Sequence, residues 1–271
     1  MKVCVLGAGP AGLMAAYAAI EAGHEVKVID KAIAYDIGQR LASGQLNAGV
    51  FLLHDRCGLL PLWGRDEPVI YGVMGGDLRR TSELGREYSL KVYGAPNVDT
   101  SINKYGLAGP RIEYDGTAAT WLLFDIVKPF IVQGDVTLDT LIAELNNNDR
   151  VISTVPLSVL HPGEMPHVQA WVKHGSNKGE SYVWYAPQPA LAWYRASAAF
   201  GRFTLEWPGH IDQPDPGARR IVKPIKPSPE GQAFIDAWEA TNHVLFTGRF
   251  GRWDKSIEQH NVYEAVLEFL R

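Results

Sequence analysis

The chain has 271 residues, 46% apolar and 21% charged, with 26 basic against 30 acidic side chains and a formal net charge of −4. That length supports a substantial core in one large or two small domains, and the acidic balance argues against a surface that binds nucleic acid over most of its area. Cys4 in an apolar run and Cys57 in a polar stretch imply no disulfide, and no apolar run reaches the roughly 18 residues of a membrane span, so a soluble cytoplasmic protein without a signal peptide is expected.

The first thirty residues carry the clearest pattern. "KVCVLG" reads as a buried strand, an alanine-rich helix follows from Pro10 to Ala22 and closes at Gly23, and "EVKVID" reads as a second strand. In the turn of this βαβ unit, Gly7, Gly9 and Gly12 have the spacing of a dinucleotide loop: the first permits the tight turn, the second lets backbone approach a pyrophosphate, and the third lets helix and strand pack closely. Pro10 and Ala11 open the helix, whose free N–H groups and partial positive charge then face the anion. Asp30, followed by Lys31, ends the second strand where a carboxylate accepts hydrogen bonds from ribose hydroxyls. NAD and FAD both satisfy these features.

Farther along, "PVIYGVMGG" and "REYSLKVYG" suggest a hairpin, and "TWLLFDIVKPF" reads as a helix up to Pro129. The amphipathic "TLDTLIAELNN" precedes "DRVISTVPLSVL", a strand entering a Ser-Thr…Pro turn. "HVQAWVKHG", "SYVWYA", "LAWYRASA" and "RFTLEW" suggest a meander, "PGHIDQPDPGARR" a surface loop, and "SPEGQAFIDAWEA" a helix with a Ser-Pro start. "VLFTG" is a last buried strand, joined through "TGRFGRW" to a helix carrying Ile257, Val262, Val266, Phe269 and Leu270, with Asp254 or Ser256 available as its cap. No internal repeat or long linker interrupts the chain.

"GAGPAGL", the returning strand "DRVISTVPLSVL" and the late strand followed by Gly248 and Arg249 resemble, in the same order, flavoproteins of the amine oxidase and UDP-galactopyranose mutase type. "LAWYRASAAFGRFTLE", "KPIKP" and "GVFLLHDRCGLLP" add a resemblance to compact members encoded by bacteriophages, which would place the protein in a host cytoplasm. The resemblance implies an α/β fold: a Rossmann-like FAD-binding domain from 1–60, 130–160 and 240–271, with an inserted β-rich substrate subdomain from 61–129 and 161–239. It implies FAD as cofactor, held by Gly7, Gly9, Pro10, Ala11, Gly12, Asp30 and Lys31 at one end and by Gly248, Arg249, Trp253 and Ser256 at the other. In those families the late Gly-Arg contacts the ribityl-phosphate portion, and the next helix aims its N–H groups at the pyrimidine edge of the flavin. Trp253 suits either the flavin face or the core beneath the last helix. The chain is much shorter than the mutase and lacks a histidine-rich flavin loop, so mutase activity is not implied.

Two residues are candidates for chemistry. His54, in "LLHD", falls in the early loop that the resemblance brings near the flavin, where it could orient substrate or move a proton; a loop histidine bound to a neighbouring carbonyl is the alternative. If Leu191 to Ala198 is a strand, Trp193, Arg195 and Ser197 share a face and Tyr194 takes the other, which puts Arg195 on a sheet floor where it can hold an anionic group, or on an edge strand in solvent. There is no metal-ligand spacing, serine-hydrolase elbow or phosphate-binding GKS/T loop. The expected activity is oxidation of a C–N or C–O bond in a small polar substrate by hydride transfer to flavin N5. A flavin-dependent lyase or oxidase on an amino-acid-modified pyrimidine of phage DNA, an NAD-dependent dehydrogenase and a non-catalytic nucleotide-binding module are the alternatives. No membrane partner is expected, and the oligomeric state is open.

Overall fold

The computed structural model describes residues 1–42, 49–53, 65–74, 81–96 and 110–271. His54 and Cys57 lie outside the described residues. No helix among the described residues is long and apolar enough to cross a membrane.

Five parallel strands form the first sheet: β1 (Lys2–Leu6), β2 (Glu25–Asp30), β6 (Ile131–Gln133), β7 (Arg150–Ser153) and β13 (Val244–Phe246), in the order β13-β7-β1-β2-β6. Helices cover both faces, which is why β1 is a continuous apolar run with Val3, Cys4, Val5 and Leu6 all fully buried. On one face lie α1 (Pro10–Glu21), α2 (Ala34–Ala42), α4 (Gly116–Val127) and α8 (Gln259–Phe269). On the other lie α5 (Leu138–Asn147), the short α6 (Leu157–Leu160) and α7 (Pro229–Glu239). The small side chains Ala15, Ala16, Ala18 and Ala19 of α1 are fully buried and let its neighbours approach closely. Asp115 caps α4 by accepting from Thr117 N at 2.9 Å and Ala118 N at 3.2 Å, and Ser228 caps α7 by accepting from Gly231 N at 3.1 Å.

Among the described residues the second sheet has eight strands, β3 (Leu52–Leu53), β4 (Asp66–Val73), β5 (Pro110–Asp115), β8 (His167–Ser176), β9 (Tyr182–Tyr185), β10 (Arg195–Ala199), β11 (Arg202–Pro208) and β12 (Arg219–Pro224). Their order is β12-β8-β11-β10-β9-β4-β5-β3. Of the four strands expected as a meander, β9, β10 and β11 pair antiparallel in sequence, whereas β8 lies between β11 and β12, and β9 also pairs in parallel with β4. Only β10 and β11 form a tight hairpin, turned by Phe200 at φ 53° and Gly201 at φ 77°.

"REYSLKVYG" is not a strand but the larger part of α3 (Thr81–Tyr93). Leu84, Tyr88 and Val92, spaced by one helical turn, are buried on the sheet, whereas Leu90 is 55% exposed; the local alternation of Tyr88, Leu90 and Val92 concealed the longer period. Two segments also fall across the expected domain boundaries. Leu52–Leu53 joins the second sheet, and α4 packs on α1 in the first core, because Ala119, Leu123 and Phe124 present an apolar face to it.

Candidate active site between the two sheets

The glycine loop leaves β1 with Gly7 at φ 97°, and its N–H donates to Ile29 O at 2.8 Å. A Cβ on Gly12 would stand 1.8 Å from Gly7 O, so helix and strand close on each other there. Gly9 is the N-cap of α1 with no side-chain cap, and nothing lies within 4 Å of where its Cβ would be. Pro10 has no N–H, so the first donor of α1 is that of Ala11, at a helix start that no side chain caps. Asp30 is half-buried at the end of β2; its Oδ2 accepts from Ala8 N at 2.8 Å and its Oδ1 from Ala32 N at 2.9 Å, which orients the carboxylate beside the loop. Each oxygen retains capacity for a further donor. Lys31 is exposed beside it. The returning strand β7 supports the loop from below: Thr154 Oγ1 donates to Leu6 O at 2.9 Å.

The chain's other end meets this loop. Thr247 N donates to Ser153 O at 3.0 Å, after which Gly248 turns at φ 80° and would, with a Cβ, come within 2.6 Å of Ala11 Cβ. Gln259 Nε2 donates to Pro10 O, tying the start of α8 to the start of α1. Two expectations for this tail need correction. Trp253, in a left-handed conformation at φ 54°, turns under the first sheet, is 6% exposed and donates Nε1 to Pro166 O at 2.7 Å; it is a core residue. Neither Asp254 nor Ser256 caps α8. The Ser256 N–H and hydroxyl both donate to Asp254 Oδ1 at 2.7 Å, and the helix starts later with Glu258 as N-cap, its N–H bonded to Asn261 Oδ1 at 2.9 Å.

Arg249 follows this turn, and Arg195 and Glu206 of a charged cluster on the second sheet act on it electrostatically. Arg195 occupies an interior strand opposite Glu206 in register, and its Nη1 is 3.6 Å from Glu206 Oε1. Lys223 from β12 pairs with Glu206 and donates to the Tyr194 hydroxyl at 2.7 Å. Tyr194 precedes β10 and reaches the same cluster, not the opposite face of the sheet. The rings of Tyr185 and Tyr194 both pack edge-on against Tyr88 of α3, at 5.6 and 5.8 Å.

Burial alone would raise the Glu206 carboxyl, but Lys223 and Arg195 overcome it and hold the group down to about 2. Burial works against the Arg195 cation too, and Glu206 with the tyrosine hydroxyls more than offsets it. Lys223 is pushed below the ordinary lysine range by burial, with Arg195 and Arg249 adding like-charge repulsion against the pull of Glu206. Arg249 is depressed by its crowded surroundings and by Arg195, with Glu258 opposing. Its side chain is nonetheless exposed and makes no ion pair with a described residue. Arg195 Nε is buried without a hydrogen-bond partner.

Glu206, Lys223 and Tyr194 were not singled out from sequence as site residues. A readable signal existed for Glu206: a turn centred on Phe200–Gly201 puts Arg195 directly opposite it.

A family model described as an NAD(P)-binding Rossmann-like domain matches residues 5–70. No curated protein matches the chain in sequence. Among solved structures, the chain is similar to reduced UDP-galactopyranose mutase at 13% identity and a TM-score of 0.57, covering 99% of this chain and 94% of that one. It is also similar to a lanthipeptide tryptophan 5-halogenase (13% identity, TM-score 0.52, 99% of this chain, 66% of that chain) and to a putrescine oxidase variant (11%, 0.50, 99% and 98%). Residues 5–70 thus match the model of an NAD(P)-binding Rossmann-like domain, in a chain whose fold is similar to that of UDP-galactopyranose mutase over 99% of its length.

Proposed function

We propose that the protein is an FAD-dependent oxidoreductase that oxidises a C–N or C–O bond in a small substrate carrying an anionic group. The carrying observation is the position of Arg249: its backbone follows the glycine that abuts Ala11 at the dinucleotide loop, and its side chain lies in the field of Arg195, Glu206 and Lys223. The residues present fit an extended dinucleotide. The open, uncapped start of α1 suits a pyrophosphate, Asp30 suits a ribose, and a second glycine turn packed on the first suits the part of the cofactor beyond the phosphates. A nicotinamide dinucleotide would leave that second turn without a role. Bound flavin would supply a two-electron acceptor.

The chain's own residues then define the substrate. Three cations, Arg195, Lys223 and Arg249, share a field with two carboxylates, Glu206 and Glu258, and Glu206 is already engaged by Lys223 and Arg195. The surplus positive charge favours a carboxylate or phosphate on the substrate. Tyr88, Tyr185 and Tyr194 wall the cluster with aromatic surface. The test is anaerobic reduction of the purified flavoprotein by paired small amines and alcohols with and without an anionic group. Anionic members are expected to bleach the flavin faster, and Arg249→Ala, losing an exposed charged contact, is expected to weaken their apparent affinity about tenfold. Equal rates for neutral and anionic members, unaffected by Arg249→Ala, would contradict the reading.

A further inference from the structure

Lys91, near the end of α3, has a setting that the flavin reading does not use. Its ammonium donates to four backbone carbonyls of one turn: Ala186 at 2.8 Å, Gln188 at 2.8 Å, Leu191 at 2.6 Å and Trp193 at 2.7 Å. An ammonium has three N–H groups, so four oxygens at such distances share its donors and enclose it as a coordination shell encloses a spherical ion. Four carbonyl dipoles aimed at one point repel each other unless a cation fills the centre, which is how carbonyl rings hold potassium in place of its water shell. Burial pushes the Lys91 amine down to about 8, so it remains protonated at neutral pH.

The turn's position gives the arrangement a consequence. It links β9 to β10, is closed by Ala186 N donating to Tyr194 O at 2.8 Å, and delivers the chain into Tyr194 and Arg195. Leu191 to Trp193 are otherwise tied back only lightly, with Leu191 N to Gln188 O at 3.3 Å.

We propose that the turn from Ala186 to Trp193 is a monovalent-cation site whose resident cation is the tethered ammonium of Lys91, and that Lys91 is thereby the positioning residue for Tyr194 and Arg195. The inference is independent of which cofactor the chain carries. Removing the tether leaves an empty shell that accepts a free ion of similar size.

The experiment is thermal unfolding of Lys91→Ala in potassium, ammonium, tetramethylammonium and choline chlorides at equal ionic strength. In the two bulky salts the variant is expected to melt lower than the parent protein by about 5 °C, the shift that follows from losing a charged hydrogen-bond cluster in a chain of this size. Potassium and ammonium are expected to recover most of the loss with saturable concentration dependence, while the parent protein responds equally to all four salts. An equal deficit in every salt, or none, would overturn the proposal, because a merely structural lysine has no ion-size dependence. If the variant does not fold in the bulky salts, reductive methylation of the parent protein decides. The exposed Lys178 and Lys226 are expected to be dimethylated at least tenfold faster than Lys91, and comparable rates would overturn the cage.

Discussion

Gly12→Ala is expected to destabilise the protein by about 3 kcal/mol and to abolish cofactor retention. Gly12 lies in the first turns of α1, where helix propensity alone would favour alanine by about 1 kcal/mol. The clash decides the sign. The added methyl would sit 1.8 Å from Gly7 O, 2.7 Å from Gly7 C and 2.9 Å from Thr154 Oγ1. Two of these are backbone atoms, and the third is fixed by its bond to Leu6 O. Relief would need α1 to lift from β1, and the fully buried Leu13, Met14, Ala15 and Ala16 oppose that movement. Gly9→Ala is the matched control: nothing lies within 4 Å of its Cβ, and φ −72°, ψ 178° suits any residue. It is expected to leave stability within about 0.5 kcal/mol of the parent while reducing FAD affinity, since the methyl occupies the surface a pyrophosphate would approach. Urea unfolding of both variants with flavin absorbance separates the effects; Gly12→Ala matching the parent in stability would refute the packing account.

Glu206→Gln is expected to cost about 3 kcal/mol at neutral pH, because it leaves Lys223 and Arg195 facing each other without the carboxylate between them. The pH dependence follows from the direction of the shift. Glu206 is held down to about 2 from an ordinary value of 4.5, so its contribution is complete above the ordinary range and is lost as pH falls from there through about 2. Glutamine has nothing to titrate. The stability gap between parent and variant is therefore expected to be widest near neutrality and to shrink as the pH drops below that range. Chemical denaturation across this span measures it, and a gap that stays constant into acid would show that Glu206 acts by packing instead of charge. Adding Lys223→Met to Glu206→Gln is expected to recover part of the loss by removing one unpaired cation.

The parts of the fold legible in sequence were those set by local rules. Gly7, Gly9 and Gly12 between two apolar strands specify a βαβ turn through steric necessity, and the structure shows that turn with Gly7 in the left-handed region. Ser228 and its proline announced α7. Misreadings arose where a period was ambiguous or pairing was non-local. In α3, Tyr88, Leu90 and Val92 alternate like a strand, and only Leu84 with the buried Ser89 reveals the helix. The order of the second sheet depends on which edges are buried together, and nothing local in β8 indicates that β11 and β12 flank it. Trp253 was readable either as core or as cofactor wall until its left-handed backbone fixed the direction. Arg195 was visible, but its charge balance was not, because Lys223 reaches Glu206 from a strand outside the hairpin. The Lys91 shell is built from carbonyls, which have no sequence signature.

On the proposed function, the glycine loop at Gly7–Gly12 and the turn at Gly248–Arg249 together hold one FAD. The visible absorption spectrum of the purified protein, before and after denaturation, tests it most directly. The expected result is a yellow protein with flavin bands that releases equimolar FAD, or a colourless one that takes up added FAD to the same stoichiometry. A protein that remains colourless in excess FAD while binding NADH, seen as a shift in nicotinamide fluorescence, would contradict it.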